Sequence, residues 1–298
     1  MVSALVNPGS KAAAVPRVRC RPIAETDIDA VVDLLTAGFS YSRRSWVRAF
    51  RRLSTHIPPP GCPKYGYLLE ADGVPVGVIP MIFSAVMVDG EATVRCSVSS
   101  WYVRPAFRSY AALLASQGLK RKDVTYFVIT PFRHTRPILE AQGYKRYCRG
   151  RFIALPALSP ALPGCRTETI GPETPADDDI RPDEIELMRV HAAYGCLSVI
   201  CHSDGRRYPF VFATRRKFGI VPFATLVYSR QLDDMVRFAG ALGRFLARRG
   251  FAVLVVDANG PIAGLIGRYA DGYPKYFRGP HQPRLGDLAY SKRIFFGV

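Results

Sequence analysis

Apolar residues at Ile28, Val31, Val32, Leu34, Leu35 and Phe39 recur at helical spacing, so a helix is predicted to begin just after Thr26. Asp27 and Asp29 fall in its first turn, where the helix dipole favours negative charge. Before it, residues 17–23 alternate Val18, Cys20 and Pro22 with arginines and read as a strand. A second helix, amphipathic and basic, is predicted over 45–53, and Pro58-Pro59-Pro60-Gly61 forms a hard break. Strands at 65–70 and 74–86 flank the Asp72-Gly73 turn. Pro75 and Pro80 remove two amide donors from the second of these, which predicts a bulged or edge strand. Next come a strand over 93–103, a helix over 109–117 stopped by Gly118, and an apolar strand over 123–130. A helix over 135–142 with Gly143 as its stop and a strand over 144–154 complete the first half.

That order predicts a mixed α/β sheet within the first 154 residues. Residues 155–179 are rich in proline and alanine, end on Asp177-Asp178-Asp179, and read as a linker. Beyond it the pattern resumes, with a helix over 182–194 and strands over 197–201, 208–215 and 223–228. A long helix over 232–249 and a buried strand over 251–256 follow, and Asp257 stands at the strand's tip. The later order of elements echoes the first half, with little identity of residues, so two related units are expected.

Composition changes this picture little. The 298 residues are 48% hydrophobic and 22% charged, an ordinary globular balance. The net charge of +17 stands out, and of the 41 Lys and Arg 21 lie in residues 1–150, against 10 Asp and Glu there. Such a chain attracts phosphate-rich ligands, and nucleic acid is the less favoured of these because Lys120-Arg121-Lys122 is too short a run to argue it. The seven cysteines are odd in number and none is spaced as C-x-x-C, which points to reduced thiols, a cytoplasmic protein and no metal site. No run of 18 apolar residues predicts a membrane span, and residues 1–16 lack the pattern of a signal peptide and read as a disordered lead.

The stretch that carries chemistry is Val103-Arg104-Pro105-Ala106-Phe107-Arg108-Ser109-Tyr110-Ala111-Ala112-Leu113-Leu114. A strand ends, a short loop brings a second arginine, and a helix starts at once. Such a loop aims backbone N–H groups and a helix dipole at one point, a fit for a pyrophosphate. Residues 17–150 resemble a GNAT acetyltransferase domain. Arg108 matches the arginine that opens that superfamily's CoA loop; Ala111 stands at the first glycine position and Leu113 at the second small position. Arg21 to Asp27, the Asp72-Gly73 hairpin and Leu139-Glu140-Ala141-Gln142-Gly143-Tyr144 resemble its other signatures.

The resemblance implies an α/β fold of two GNAT-like lobes, each a mixed, mostly antiparallel sheet flanked by helices, with residues 17–154 binding acyl-CoA and 180–298 a degenerate second lobe. It implies acetyl-CoA or another acyl-CoA as co-substrate, held by Trp101, Val103, Arg104, Arg108, Ser109, Tyr110 and Ala111. A small-molecule amine or hydroxyl acceptor would attack the thioester directly, in a monomer or homodimer. The tyrosine that many relatives use is replaced by Leu139; Tyr102 and Tyr110 are substitutes by position, with Tyr110 the candidate acid and His134 the candidate base. Ser99 and Asp257 are candidates to orient the acceptor, Asp257 alternatively capping a helix. Two other functions share the pattern: a tRNA-dependent aminoacyl transferase of the Fem kind, and a non-catalytic module that keeps only the fold.

Overall fold

The computed structural model describes residues 16–175, 179–217 and 221–297. The expected disordered lead, Pro16 apart, therefore lies outside the described residues. In the first half the strands are β1 (Val18–Pro22), β2 (Gly66–Ala71), β3 (Val74–Val88), β4 (Glu91–Val98), β5 (Tyr102–Val103), β6 (Val124–Val128) and β7 (Lys145–Ala154). The second half adds β8 (Arg166–Ile170), β9 (Leu197–Ser203), β10 (Arg206–Lys217), β11 (Val221–Ser229), β12 (Val253–Ala258) and β13 (Gly267–Arg278). The helices are α1 (Ile28–Gly38), α2 (Arg43–Ser54), α3 (Ala111–Gly118), α4 (Arg136–Ala141), α5 (Pro182–Ala193), α6 (Leu232–Arg237), α7 (Ala239–Ala247) and α8 (Lys292–Phe295).

These strands join one mixed sheet in the order β1-β2-β3-β4-β6-β13-β7-β12-β11-β10-β9-β8, with β5 attached to β3. Read from either end, four antiparallel strands lead to a parallel neighbour: β4 beside β6, and β11 beside β12. A helical crossover links each parallel pair, α3 in one and α6 with α7 in the other. At the centre the last strands trade places. β13 pairs with β6 and β7, while β7 pairs with β13 and β12. One sheet thus runs across the expected boundary at 155–179, and β8, paired with β9, lies inside the stretch expected to be a linker.

Neighbouring residues of β3 alternate between two cores, as a strand covered on both faces requires. Val78 and Ile82 join α1, α2, α5 and α8 in one cluster with Val31, Trp46, Met188 and Phe295. Ile79, Met81 and Phe83 join Leu114 of α3 and Leu139 of α4 in the other. β3 is therefore interior and bulged: of the expected bulged or edge strand, the bulge is present and the edge position is not. Its two prolines are tolerated at irregular points: Pro75 beside the bulge at Leu69/Glu70, and Pro80 where its carbonyl takes the Ser99 N–H at 3.0 Å.

Three further expectations are corrected. The single helix over 232–249 is broken at Phe238. No helix opens at Asp257; the chain goes on to the strand β13. The strand over 93–103 is interrupted, which creates the site described next.

Candidate active site

β4 and β6 pair in parallel from Val94↔Val124 to Ser97↔Phe127, where the ladder ends although both chains run on. On the β4 side Ser100 takes a positive φ of 26°, and the chain re-forms as β5 against β3, Tyr102 facing Val78 and Val103 facing Gly77. On the β6 side the strand ends at Val128. The sheet is forked there. Arg104 N–H donates to the Val76 carbonyl at 2.8 Å, so by strand alternation the N–H of Val103 points the other way, into the fork.

Small residues hold β5 aside. A Cβ at Gly77 would stand 3.0 Å from Val103 Cγ2, and one at Gly38 would overlap the Tyr102 ring. Past β5 the chain winds as a 3-10 turn, Pro105–Tyr110, directly into α3. The arginines Arg104 and Arg108 and the hydroxyl of Ser109 are exposed around this turn, while Tyr110 and Ala111 are half-buried. Leu113, the large residue at the second small position, is 43% exposed. The Trp101 indole N–H is buried without a partner, a donor left open beside the fork. Split strands, paired exposed arginines and an orphan donor fit an extended anionic ligand. The 3-10 winding fits it less well, because it spends backbone donors such as Phe107 N–H, which is bonded to Arg104 O at 2.9 Å.

The candidate acid and base stand on opposite arms. Tyr110 follows β5 and packs beside the α3 core. His134 follows β6, is exposed, and stacks on Phe132 with ring centroids 5.6 Å apart. Phe132 stacks in turn on Phe39 at 6.2 Å, and Phe39 meets Tyr102 edge-on at 6.5 Å. The α1–α2 connection therefore closes one side of the fork with aromatic rings. Sequence reasoning placed Phe39 only in a helix stripe and did not single out Phe132; the signal available was a phenylalanine just beyond each element that borders the fork.

Ser99 is buried at the branch, its hydroxyl 3.0 Å from that of Ser100. Ser97, on the last paired rung, accepts the Lys292 N–H at 3.1 Å. Lys292 is itself buried, and burial together with Arg293 brings its amine down to about 8. Asp257 is not with these groups. It lies inside β12, 5% exposed and ion-paired to Lys275 of β13 at 2.7 Å, so it neither caps a helix nor offers a free carboxylate. Among the described residues no three His, Cys, Asp or Glu side chains gather as a metal group. His202, beside Cys201, bonds Glu168 at 2.8 Å instead.

The second parallel pair does not stay open. The β11–β12 ladder ends at Thr225↔Val255, and beyond it the chain's own segment 286–288 takes the vacated place. Ser229 N–H donates to Gly286 O at 3.1 Å and Leu288 N–H to Val227 O at 2.7 Å.

No family model and no curated protein matches the sequence. Solved structures do match in shape. A GCN5-related N-acetyltransferase from Kribbella flavida superposes with a TM-score of 0.58 at 14% identity, over 88% of this chain and 71% of that one. Another from Anabaena variabilis gives 0.58 at 10% identity, over 88% and 72%. A Pyrococcus horikoshii protein provisionally described as an acetyltransferase gives 0.56 at 12% identity, over 92% and 93%. The chain has the GNAT fold.

Proposed function

We propose that this protein transfers an acyl group from acyl-CoA to an amine or hydroxyl, using the fork between β5 and the end of β6. One observation carries the reading: the parallel ladder stops at Ser97/Phe127 while both strands continue, and the fork so formed opens beside Arg104, Arg108 and the start of α3. The GNAT fold supports it as well. The filled space beyond β11 and β12 supports a duplicated architecture in which residues 17–154 keep the ligand site and 180–298 are a degenerate copy.

In this reading the diphosphate of CoA rests against Arg104, Arg108 and Ser109, where charge-assisted bonds are strongest. The pantetheine arm runs into the fork beside Trp101, and the Val103 N–H lies where negative charge develops on the thioester oxygen. The acceptor enters over Phe39 and Phe132. Its nitrogen or oxygen attacks the carbonyl carbon, the new C–N or C–O bond forms, and the C–S bond breaks. His134 takes the acceptor's proton and Tyr110 gives one to the departing sulfur, which leaves as CoA thiol.

Titration with acetyl-CoA tests the proposal. A saturable signal is expected, weakened about tenfold in Arg108→Ala, as loss of a charge-assisted contact requires. Absence of any saturable binding of acetyl-CoA or longer acyl-CoA refutes it. Thiol release from acetyl-CoA in the presence of a panel of amines then reads out turnover, and is expected to fall in His134→Ala and Tyr110→Phe with binding retained.

A further inference from the structure

The face of the sheet that carries α8 gathers cations around a single carboxylate. Asp257 of β12 and Arg151 of β7 stand opposite each other, and Lys275 of β13 bonds Asp257 at 2.7 Å. Val256 and Ala258, on either side of Asp257, belong to the core under α6 and α7, so Asp257 points to the other face. There α8 brings Arg293 close enough to feel the charges of both Asp257 and Arg151. Arg215 of β10 joins them through its Nη2, which donates to the Arg293 carbonyl at 3.1 Å. At its first residue α8 donates the Lys292 N–H to Ser97, on the last paired rung before the fork.

Lys275 and Asp257 neutralise each other. Arg151, Arg215, Lys292 and Arg293 form no ion pair among the described residues. The Arg151 guanidinium rests 3.5 Å from the centroid of the exposed Tyr273 ring, so the cluster reaches solvent there. The Nε groups of Arg151 and Arg293 are buried without a partner, and Lys292 is only 7% exposed. Burial and the neighbouring arginines bring Arg215 down to about 10, as they bring Lys292 to about 8. Enclosed cations without counter-charges are destabilising, and an anion arriving among them relieves that. The CoA diphosphate is on the wrong side for this. Its arginines lead into α3, which packs with Ile79 and Met81, whereas α1, α2 and α8 share a core with Val78 and Ile82. Phe39, at the acceptor's entry, packs on the α8 side. With neighbouring strands about 4.8 Å apart, β13 and β7 lie roughly 5 and 10 Å beyond the β6 arm of the fork.

We propose that the acceptor carries an acidic group, held by Arg151, Arg215 and Arg293 while its amine or hydroxyl reaches the thioester in the fork. The acceptor role rests on the acyl-transfer reading; the anion site itself does not.

Calorimetric titration of the full chain without acyl-CoA tests the site, using 6-aminohexanoate, 5-aminopentyl phosphate and the neutral 6-amino-1-hexanol. At least one anionic amine is expected to bind about tenfold or more tightly than the alcohol, and the stronger of the two tells carboxylate from phosphate. Arg151→Met and Arg293→Met are each expected to weaken that binding about tenfold, the loss of one charge-assisted contact. Their urea midpoints are expected to stay or rise, because each removes an unpaired charge; an arginine with a structural role only would lower them. Arg151→Met, whose guanidinium rests on an exposed ring, keeps the test intact should Arg293→Met unfold. In thiol release from acetyl-CoA the same anionic amine is expected to surpass the alcohol about tenfold in kcat/KM. Equal binding of anionic and neutral amines, or unchanged binding in Arg151→Met, would overturn the anion site even where acetyl-CoA binds the fork. Selective binding with no thiol released would overturn the acceptor role.

Discussion

His191, at the end of α5, shows how one buried side chain makes this fold sensitive to acid. Its Nδ1 bonds the Leu187 carbonyl at 2.7 Å, and its Nε2 accepts the Tyr290 N–H at 3.1 Å. One nitrogen must donate and the other accept, so only the neutral ring satisfies both. Burial brings its pKa down to about 4. The unfolded ring titrates near 6.5, so between pH 6.5 and 4 the unfolded chain binds a proton that the folded one refuses. Stability is full above that window and falls through it by about 3 kcal/mol. Denaturant midpoints measured from pH 7 to 4 are expected to drop more steeply in the wild type than in His191→Gln; parallel slopes would contradict this. Nearby, the Arg95–Asp287 pair is largely buried. Burial opposes the Asp287 charge, yet the facing guanidinium holds the carboxyl below its usual range. Arg95→Ala strands that carboxylate and is expected to cost about 3–5 kcal/mol, read as a lowered midpoint in urea.

At the scale of elements, close backbone contacts decide what can be placed where. Helix α7 lies so near residues 156–160 that a Cβ on Gly240 or Gly243 would enter their backbone. Gly243→Ala gains helix propensity of about 1 kcal/mol but overpacks a rigid neighbour, and a net loss of about 1–3 kcal/mol is expected from urea unfolding. The helices and most strands were legible because their apolar positions repeat with the right period. The turn at Val103-Arg104-Pro105 marked the mouth of the fork for the same local reason. β13 was not legible: Asp271-Gly272 and Pro274 read as turn residues, and the strand accommodates them through register shifts between Asp271 and Tyr276. The break of β4 at Ser99–Trp101 was equally silent, since it depends on the partner strand's Gly77 and on Gly38 beneath Tyr102.

Across the whole molecule, pairings between residues far apart in sequence organise the sheet, and no local pattern encodes them. Hence β7 could be named as a strand, but not its exchange with β13 between the halves. The same holds for segment 286–288, whose place beside β11 is set by Arg95, Val227 and Ser229. Its consequence is quantitative. With the space beyond β11 and β12 filled by the chain itself, one acyl-CoA per chain is expected in calorimetry, and a stoichiometry of two would contradict the account. The charge of +17 favours association with that tetra-anionic ligand and makes its affinity fall with added salt. Amide hydrogen exchange with and without saturating acetyl-CoA tests the location of the site most directly. Protection confined to residues 98–113 and 129–135 is predicted, with 229–233 and 286–288 unchanged; protection around 229–233, or none near Val103 and Arg108, would contradict the forked-sheet site.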